Sequence, residues 1–249
     1  MPRYFTELSY NGTNYCGWQN QKNGISIQET IEKALNTILS DKISITGAGR
    51  TDSGVHAKYM VAHFDTVIPI QNCSKLSDSL NKILPNDIAI ISVYQVDEEA
   101  HSRFSAISRK YEYHISFKKN PFLFDFIHVV NYNLDFESMN EAAKTLLNYL
   151  DFTSFSKLHS NNKTNICKIK QSYWEKRDDR WVYIIEADRF LRNMVRAIVG
   201  TLLDVGRNKI DIQQFMMIIE SKDRSKASTS APAKGLYLVD IKYRETVRP

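Results

Sequence analysis

The order in which strand-like and helix-like patterns follow one another is the strongest constraint on what this chain can fold into. In the N-terminal half, four short segments rich in apolar, mostly alternating residues predict strands. Two segments with apolar residues at helical spacing lie between them and predict helices. The resulting order, β-α-β-β-α-β, is that of the ferredoxin-like or split βαβ fold. The predicted strands are Arg3–Tyr10, Ile43–Gly47, Tyr59–Phe64 and Ile88–Val96.

Both helices of this half begin with a capping signal. Ser26 and Glu29 have the spacing of a capping box, in which each side chain bonds to the other residue's backbone amide, and they open a helix to about Leu39. Ser74 is predicted to cap the second helix. The inward residues of that helix are expected to be Leu76, Leu80 and Ile83.

The C-terminal half nearly repeats this order. Its patterns predict strands over Lys110–Phe117, Lys168–Lys176, Trp181–Ala187 and Leu236–Tyr243, and helices from Asp135 to about Tyr149, over Phe190–Val205 and over Ile212–Ile219. Gly206 is expected to follow the long helix as its C-terminal cap residue. We therefore predict an α+β fold of two ferredoxin-like (RRM-like) βαββαβ halves, 1–104 and 105–249, with antiparallel sheets, flanking helices and a central basic cleft.

Composition narrows the class of protein. The chain has 249 residues, 43% of them hydrophobic and 24% charged, which is typical of a globular protein rather than a disordered one. No apolar stretch reaches transmembrane length and the N-terminus lacks a signal-peptide core, so we expect no membrane association. Cys16, Cys73 and Cys167 form neither a disulfide framework nor a zinc pattern, and the histidines show no metal spacing. A cytoplasmic protein without a metal is expected.

Basic residues are concentrated in two segments, although the net charge is only +5. Arg103–Lys119 and Arg189–Lys209 each hold five basic residues against one acid, which favours binding to a polyanion, most simply nucleic acid. In the second segment Arg189, Arg192 and Arg196 share one face of the predicted long helix and suit phosphate contacts. The alternative for both segments is an ordinary solvated surface whose cations pair with nearby acids.

The loop Gly49–Ala57 is the clearest candidate for chemistry. It confines Arg50, Asp52 and His56 to one short, glycine-bracketed turn between apolar runs. Charges held that close perturb each other's protonation, which is the usual setting of a working acid. Asp-Ser-Gly is also an ordinary turn sequence, and structural ion pairs perturb pKa values too, so the spacing alone leaves both interpretations open.

Two aromatic features have strong structural alternatives. Tyr111 follows Arg109 and Lys110 on an alternating strand, where tyrosines usually serve packing. The aromatic residues of Tyr15–Trp18 lie in the first loop, where loop packing competes with stacking on a base. The chain has no P-loop, dinucleotide-binding glycine motif, Gly-x-Ser-x-Gly elbow or RRM aromatic signature. Residue chemistry alone therefore does not identify a reaction.

Six segments, taken together and in order, closely resemble the TruA family of tRNA pseudouridine synthases. The resemblance spans about Arg3 to Tyr243. It implies isomerisation of uridine to pseudouridine at positions 38 to 40 of the tRNA anticodon stem-loop, by a homodimer that binds tRNA and uses no cofactor. The six segments are Tyr10–Gln19, Gly49–Ala57, Arg109–Tyr113, Asp151–Phe155, Phe190–Arg196 and Gly235–Leu238.

The resemblance also implies roles for individual residues. Asp52 would be the catalytic aspartate that initiates cleavage of the N1–C1′ bond, and Arg50 would pair with it and help fill the place of the flipped nucleotide. Tyr111 would stack on the target base and remove the C5 proton, while Leu236 would pack against that base. Three first steps stay open at Asp52: attack on C6, attack on C1′, or removal of the C2′ proton. RNA contacts are expected from Arg109, Lys110, Arg192 and Arg196.

The sequence departs from the family pattern at two positions, and two other classes of function are left open as alternatives. Ser53 stands where alanine is usual, and Cys167 falls where arginine is common, which leaves any RNA contact of the Cys167 segment open. A non-catalytic RNA-binding protein would keep the fold without needing Asp52. A carboxylate-dependent nucleoside or glycoside hydrolase would need a second essential acid and would release a base.

Overall fold

A computed structural model of the chain describes residues 1–158 and 163–247. Within them it contains nine strands and five α-helices, which confirms the predicted α+β class. The strands are β1 (Arg3–Tyr10), β2 (Thr46–Gly47), β3 (His56–Asp65), β4 (Ile88–Val96), β5 (Ala106–Ser116), β6 (His128–Val129), β7 (Ile169–Arg177), β8 (Arg180–Ala187) and β9 (Leu236–Tyr243). The helices are α1 (Ile27–Leu39), α2 (Cys73–Ile83), α3 (Phe136–Thr145), α4 (Met194–Gly206) and α5 (Ile212–Glu220).

The chain packs into two compact units. The first comprises Met1–Ser108 and the C-terminal stretch from Leu238, and the second comprises Arg109–Tyr237. The proposed boundary between 104 and 105, the ferredoxin-like arrangement of each half and the central basic cleft stay predictions. No helix in the described ranges is both long enough and apolar enough to cross a membrane.

The first unit contains an antiparallel sheet of order β4-β1-β3, with β2 paired to β3. Its apolar side chains, among them Phe5, Leu8 and Phe64, are almost fully buried. Ser26 caps α1 by accepting a hydrogen bond from the Glu29 amide at 3.0 Å, which is one half of the predicted capping box. The Glu29 carboxylate, expected to return the bond to Ser26, instead pairs with Lys33 at 2.6 Å. This unit carries the Gly49–Ala57 loop between β2 and β3.

The strand expected over Ile43–Gly47 is reduced to two residues. Helix α1 supplies the reason, because its polar side chains take the backbone donors that a strand would need. The Ile43 amide donates to Asn36 Oδ1 at 2.7 Å, and the Ile45 amide donates to Glu32 Oε1 at 2.9 Å. The apolar pattern of this segment therefore reflects burial of Ile43 and Ile45 rather than strand pairing.

Helix α2 begins earlier than predicted. Asn72, not Ser74, is its N-cap and accepts a hydrogen bond from the Lys75 amide at 2.8 Å. Leu76 and Leu80 are buried as expected, but Ile83 is 49% exposed. Ile83 is the last helical residue, and the backbone becomes extended at Leu84.

The second unit contains an antiparallel sheet of order β5-β8-β7, with the short β6 parallel to β5. The predicted hairpin of β7 and β8 is confirmed, with Arg177 opposite Arg180 at its end. Asp135 caps α3 as predicted by accepting hydrogen bonds from the next turn. The helix ends at Thr145 rather than near Tyr149 and continues as a 3₁₀ turn, Leu146–Asn148.

The long basic helix is shorter than predicted, and this changes the expected arginine stripe. Asn193 has a left-handed backbone (φ 65°) and is the N-cap, so α4 begins at Met194. Arg189 and Arg192 lie before the helix, and only Arg196 lies on it. Gly206 is the last helical residue rather than a cap, and a Cβ there would lie 2.3 Å from Met139 Sδ, so α3 packs closely against α4 at this position.

Candidate active site

Asp52 lies in the tight turn that joins β2 to β3. The Val55 amide donates to the Asp52 carbonyl at 3.1 Å, and Gly54 adopts a positive φ of 76° that favours glycine. Asp52 is half-buried, while Arg50 is exposed. The segment from Gly49 to Gly54 thus bends the chain so that Asp52 is partly shielded from water while Arg50, two positions before it, is accessible.

The first loop, Asn11–Trp18, packs its backbone directly on this turn through two glycines. A Cβ at Gly12 would lie 2.0 Å from the Val55 carbonyl oxygen. A Cβ at Gly17 would lie 2.3 Å from the Thr51 carbonyl oxygen, and Gly17 also has a φ of +92°. The Trp18 amide donates to that same Thr51 oxygen at 3.2 Å. The backbone on both sides of Asp52 is therefore held by contacts that only glycine permits.

Side-chain hydrogen bonds complete this contact. The Tyr10 and Thr51 hydroxyls are 2.9 Å apart, and His56 Nδ1 accepts from the Gly12 amide at 3.2 Å. Ser53 Oγ donates to the Tyr15 carbonyl at 3.1 Å. Sequence reasoning did not assign this supporting role to Tyr10, although its place in the Tyr10–Gln19 segment was the available signal.

The aromatic residues of the first loop serve packing. Tyr15 and Trp18 are 6% and 3% exposed, and the Tyr10 and Trp18 rings lie 6.1 Å apart. A Cβ at Gly47 would lie 2.5 Å from the Trp18 indole, so the indole fills the space above β2. The packing interpretation of these aromatics is correct, and stacking on a base is not available to either ring without rearrangement.

Tyr111 lies in the second unit on β5, opposite Ile185 of β8. It is 8% exposed, and its ring meets the Phe190 ring edge to face, with centroids 5.1 Å apart at 87°. Phe190 lies before the first residue of α4, in the part of the predicted long helix that is not helical. Its ring contacts Tyr111 from this non-helical position. This edge-to-face contact helps to fix the orientation of the Tyr111 ring.

The neighbours of Tyr111 on β5 are engaged with β8 and the chain that follows it. Arg109 Nη1 donates to the Asp188 carbonyl at 2.8 Å, and Lys110 pairs in register with Glu186. Leu236 is buried and opens β9 directly after a 3₁₀ turn. A Cβ at Gly235 would lie 2.8 Å from the Tyr113 ring, which places this turn against β5.

The two arginines expected to contact RNA have different surroundings. Arg192 is exposed, and its carbonyl accepts from the Lys157 amide at 3.0 Å. Arg196 is half-buried, and its Nε donates to the Ala231 carbonyl at 2.7 Å. The Ala231 amide in turn donates to the Arg196 carbonyl at 2.9 Å, so Arg196 fastens the chain before β9 to α4.

A buried charged cluster on the other face of β5 was not predicted. Glu112 is 7% exposed and receives Arg177 Nη1 at 2.8 Å and His114 Nε2 at 2.9 Å. Because successive strand residues point to opposite faces, Glu112 faces away from Tyr111. Sequence reasoning counted Glu112 only as the acid of a basic segment, and the partner Arg177 comes from β7, far along the chain.

Cysteine and metal chemistry receive little support from the described residues. Cys167 is fully buried, and burial raises the pKa of its thiol to about 12. The Cys167 side chain is therefore not accessible to a ligand at the surface. Among residues 1–158 and 163–247, no group of three or more His, Cys, Asp or Glu side chains is placed to hold a metal ion.

Comparisons with known proteins cover nearly the whole chain. A family model described as tRNA pseudouridine synthase matches residues 8–105 and 142–244. A tRNA pseudouridine synthase A of Parabacteroides distasonis is 52% identical over 249 residues, covering 100% of this chain and 99% of the relative. The protein of the same name from Porphyromonas gingivalis is 51% identical over 248 residues, covering 98% of each. That from Acetivibrio thermocellus is 42% identical over 238 residues, covering 95% of this chain and 97% of the relative.

Proposed function

This chain belongs to the tRNA pseudouridine synthase family, and from that premise we propose that it isomerises uridine to pseudouridine at positions 38, 39 and 40 of the tRNA anticodon stem-loop. The family resemblance inferred from six segments is confirmed, and with it the classification as an isomerase that modifies tRNA. The observation that carries the proposal is the full-length similarity to proteins named tRNA pseudouridine synthase A. The positions within tRNA and the essential aspartate are the finer part of the proposal.

We assign the initiating role to Asp52. The reaction breaks the N1–C1′ bond, turns the uracil, forms a C5–C1′ bond, and transfers a proton away from C5 while N1 gains one. It consumes no electrons, so one carboxylate, one base and a pocket that limits competing water are sufficient. Half-burial of Asp52 and the immobilised backbone on either side of it support this role, because a reacting group gains most when its position is set in advance.

The remaining roles follow the family resemblance. Arg50 helps replace the flipped nucleotide in the stem, and its exposure in the Asp52 turn supports that role. Tyr111, held by Phe190, stacks on the target base and accepts the C5 proton, while Leu236 packs against the base. Flipping a base costs a few kcal/mol, so side chains that occupy the vacated space are required.

The basic residues expected to contact RNA differ in exposure and in the contacts they already make, and we propose different roles for them. Arg192 is exposed and suits a phosphate contact. Arg196 contributes mainly by holding the segment that leads to Leu236. Arg109 lies on the same face of β5 as Tyr111 and places positive charge near it, whereas Lys110 is proposed to contact RNA from the opposite face of the strand. We further propose a homodimer acting in the cytoplasm without a cofactor, and its three free cysteines suit a reducing compartment.

The deciding experiment compares two conservative aspartate variants. Asp52→Asn should keep tRNA binding and lose pseudouridine formation, measured by carbodiimide-blocked primer extension on tRNA incubated with the purified protein. Asp78→Asn, on the exposed face of α2 in the same unit, is the matched control and should modify tRNA as the unaltered protein does.

Each alternative function has its own result in this assay. Unmodified uridine at positions 38 to 40 in every tRNA tested would refute the proposal and favour a non-catalytic RNA-binding protein. Release of free uracil with loss of tRNA modification would indicate a hydrolase. Turnover by Asp52→Asn close to that of the unaltered protein would remove Asp52 from the mechanism while leaving the substrate assignment intact.

A further inference from the structure

The loop that follows β5 exposes an unusual number of aromatic rings. The aromatic loop, defined here as Phe117–Phe126, carries Phe117, Phe122 and Phe124 with exposures of 43%, 89% and 55%. Phe117 meets the Phe136 ring edge to face, with centroids 6.2 Å apart, and Lys234 lies over the Phe124 ring. Single exposed apolar residues are ordinary, but the almost fully exposed Phe122 beside two further part-exposed rings forms an apolar surface of the kind that marks a binding site. The function proposed above leaves the loop without a role.

The aromatic loop has a defined conformation. Asn120 Oδ1 accepts from the Phe122 amide at 3.0 Å and opens a 3₁₀ turn over Pro121–Leu123. The Leu123 amide donates to the Asn120 carbonyl at 3.1 Å, and Ser116 Oγ accepts from the Lys118 amide at 3.1 Å. Because the backbone is already ordered, a partner that binds Phe122 has little loop entropy to overcome.

The charge of the loop favours a polyanion. Lys118 and Lys119 are exposed, and the ammonium group of Lys234 lies 3.8 Å from the centroid of the Phe124 ring. Asp125 is the one acidic residue of the aromatic loop. Positive charge together with accessible rings is the combination that single-stranded nucleic acid binds, through its phosphates and through base stacking. In a two-fold contact of this loop with a second copy of the chain, the same lysines would face each other and repel.

The loop is also fastened to the segment that carries Leu236. Lys234 precedes that residue by two positions, and the Tyr237 hydroxyl, one position after it, donates to the Phe126 carbonyl. An RNA whose target base packs on Leu236 would therefore bring its neighbouring nucleotides to the aromatic loop.

We propose that the aromatic loop binds an unpaired nucleotide of the tRNA anticodon loop, with the Phe122 ring stacked on its base and Lys118 and Lys119 contacting the adjacent phosphates. This inference rests on the proposed tRNA substrate and adds a binding site to it. The base is recognised by its flat face, so the site accepts any base and tolerates different tRNA sequences.

The test measures the affinity of a synthetic anticodon stem-loop RNA for variants of one exposed residue. Phe122→Ala and Phe122→Leu should each weaken binding by about tenfold, the order of one base–aromatic stack, whereas Phe122→Trp should bind as tightly as the unaltered protein. Replacing the stacked base with an abasic nucleotide should weaken binding to the unaltered protein and have no further effect on Phe122→Leu. Ile68→Ala is the control for loss of an exposed apolar side chain, because Ile68 is 78% exposed, lies outside both basic segments and should leave affinity unchanged.

The outcomes separate this inference from the proposed function. If the unaltered protein forms pseudouridine in tRNA but Phe122→Leu binds the RNA with unchanged affinity, the loop assignment alone is overturned. If Phe122→Leu changes the oligomeric state by size-exclusion chromatography with light scattering and leaves RNA affinity intact, the loop is a contact between copies, and the assignment is again refuted. If the unaltered protein forms no pseudouridine at all, the proposed function fails, whatever the loop variants do.

Discussion

Replacing Gly17 with alanine should displace the backbone of the turn that carries Asp52, although Gly17 itself lies in the first loop. The added methyl group would lie 2.3 Å from the Thr51 carbonyl oxygen and 3.0 Å from the Asp52 carbonyl carbon. Carbon and oxygen approach to about 3.3 Å in ordinary close contacts, so the Thr51 carbonyl has to retreat by roughly 1 Å. Alanine would in addition have to adopt the positive φ of +92° that Gly17 has. Left-handed backbone conformations cost about 1–2 kcal/mol for residues other than glycine.

The displacement acts on the residue next to the proposed catalytic carboxylate. A misplacement of about 1 Å can lower the rate of an enzyme by about 100-fold. We therefore expect Gly17→Ala to lower the single-turnover rate of pseudouridine formation by about that factor and the free energy of unfolding by about 2 kcal/mol. Affinity for tRNA should change much less, because the altered contact lies within the protein.

Substitutions at two other glycines separate the effect of the close contact from the effect of the positive φ. Gly12→Ala meets the Val55 carbonyl at 2.0 Å without a positive φ, so it tests the close contact alone. Gly49→Ala has no atom within 4 Å and is the control for stability, with an expected change within about 0.5 kcal/mol. The measurements are urea unfolding and single-turnover modification of a tRNA transcript. If Gly17→Ala matched Gly49→Ala in stability and the unaltered protein in rate, the support of Asp52 by the first loop would be refuted.

Two further predictions concern titratable groups. Burial, with a smaller contribution from His101, lowers the pKa of His63 to about 4 in the folded protein. Between about pH 6.5 and 4, His63 is therefore protonated in the unfolded chain but neutral in the folded one. The free energy of unfolding should therefore decrease as pH falls from about 6.5 toward 4, and urea unfolding of His63→Gln should show a shallower decrease; an equal slope would remove His63 as the cause. Burial raises the pKa of the Cys167 thiol to about 12, so Ellman's reagent should modify the part-exposed Cys16 and Cys73 in the native protein and Cys167 only on unfolding. Equal rates for all three thiols under native conditions would contradict the buried position of Cys167.

Elements with strong local signals are predictable from the sequence. The bounds of β1 and β4 agree with the alternating segments residue for residue, and Ser26 caps α1 where its spacing from Glu29 indicated. Such elements depend on neighbours within a few positions, which a linear pattern records. The identity of Asp52 as the candidate acid came from the same kind of local information, strengthened by five other segments of the chain.

The start of α4 shows where local patterns mislead. The spacing of Arg189, Arg192 and Arg196 continues the helical period backwards through a segment that is not helical. Asn193 interrupts it because asparagine tolerates a left-handed backbone, and the Arg192 carbonyl is held by the Lys157 amide from another part of the chain. A contact between segments so far apart in sequence leaves no periodic signal.

The support of the Asp52 turn also comes from contacts between segments that are distant in sequence. Gly12 and Gly17 are ordinary loop residues in a linear pattern, and their purpose is visible only when the backbone of Val55 and Thr51 lies against them. The two-residue β2 is a further case, since the Asn36 and Glu32 side chains of α1 take the amides that strand pairing would use. Neither amino-acid composition nor the spacing of apolar residues along the sequence shows which distant backbone group a side chain will contact.

The surroundings of the cations decide which of them can serve RNA in the second unit. Arg207 and Lys209 both approach Asp204 Oδ1, at 3.8 and 3.2 Å, and Arg196 Nε is bonded to the Ala231 carbonyl. For these residues a phosphate contact has to replace an existing interaction, whereas an exposed lysine mainly releases its counterions. The exposed Lys118 and Lys119 of the aromatic loop therefore suit phosphate binding better than the basic residues along the helix.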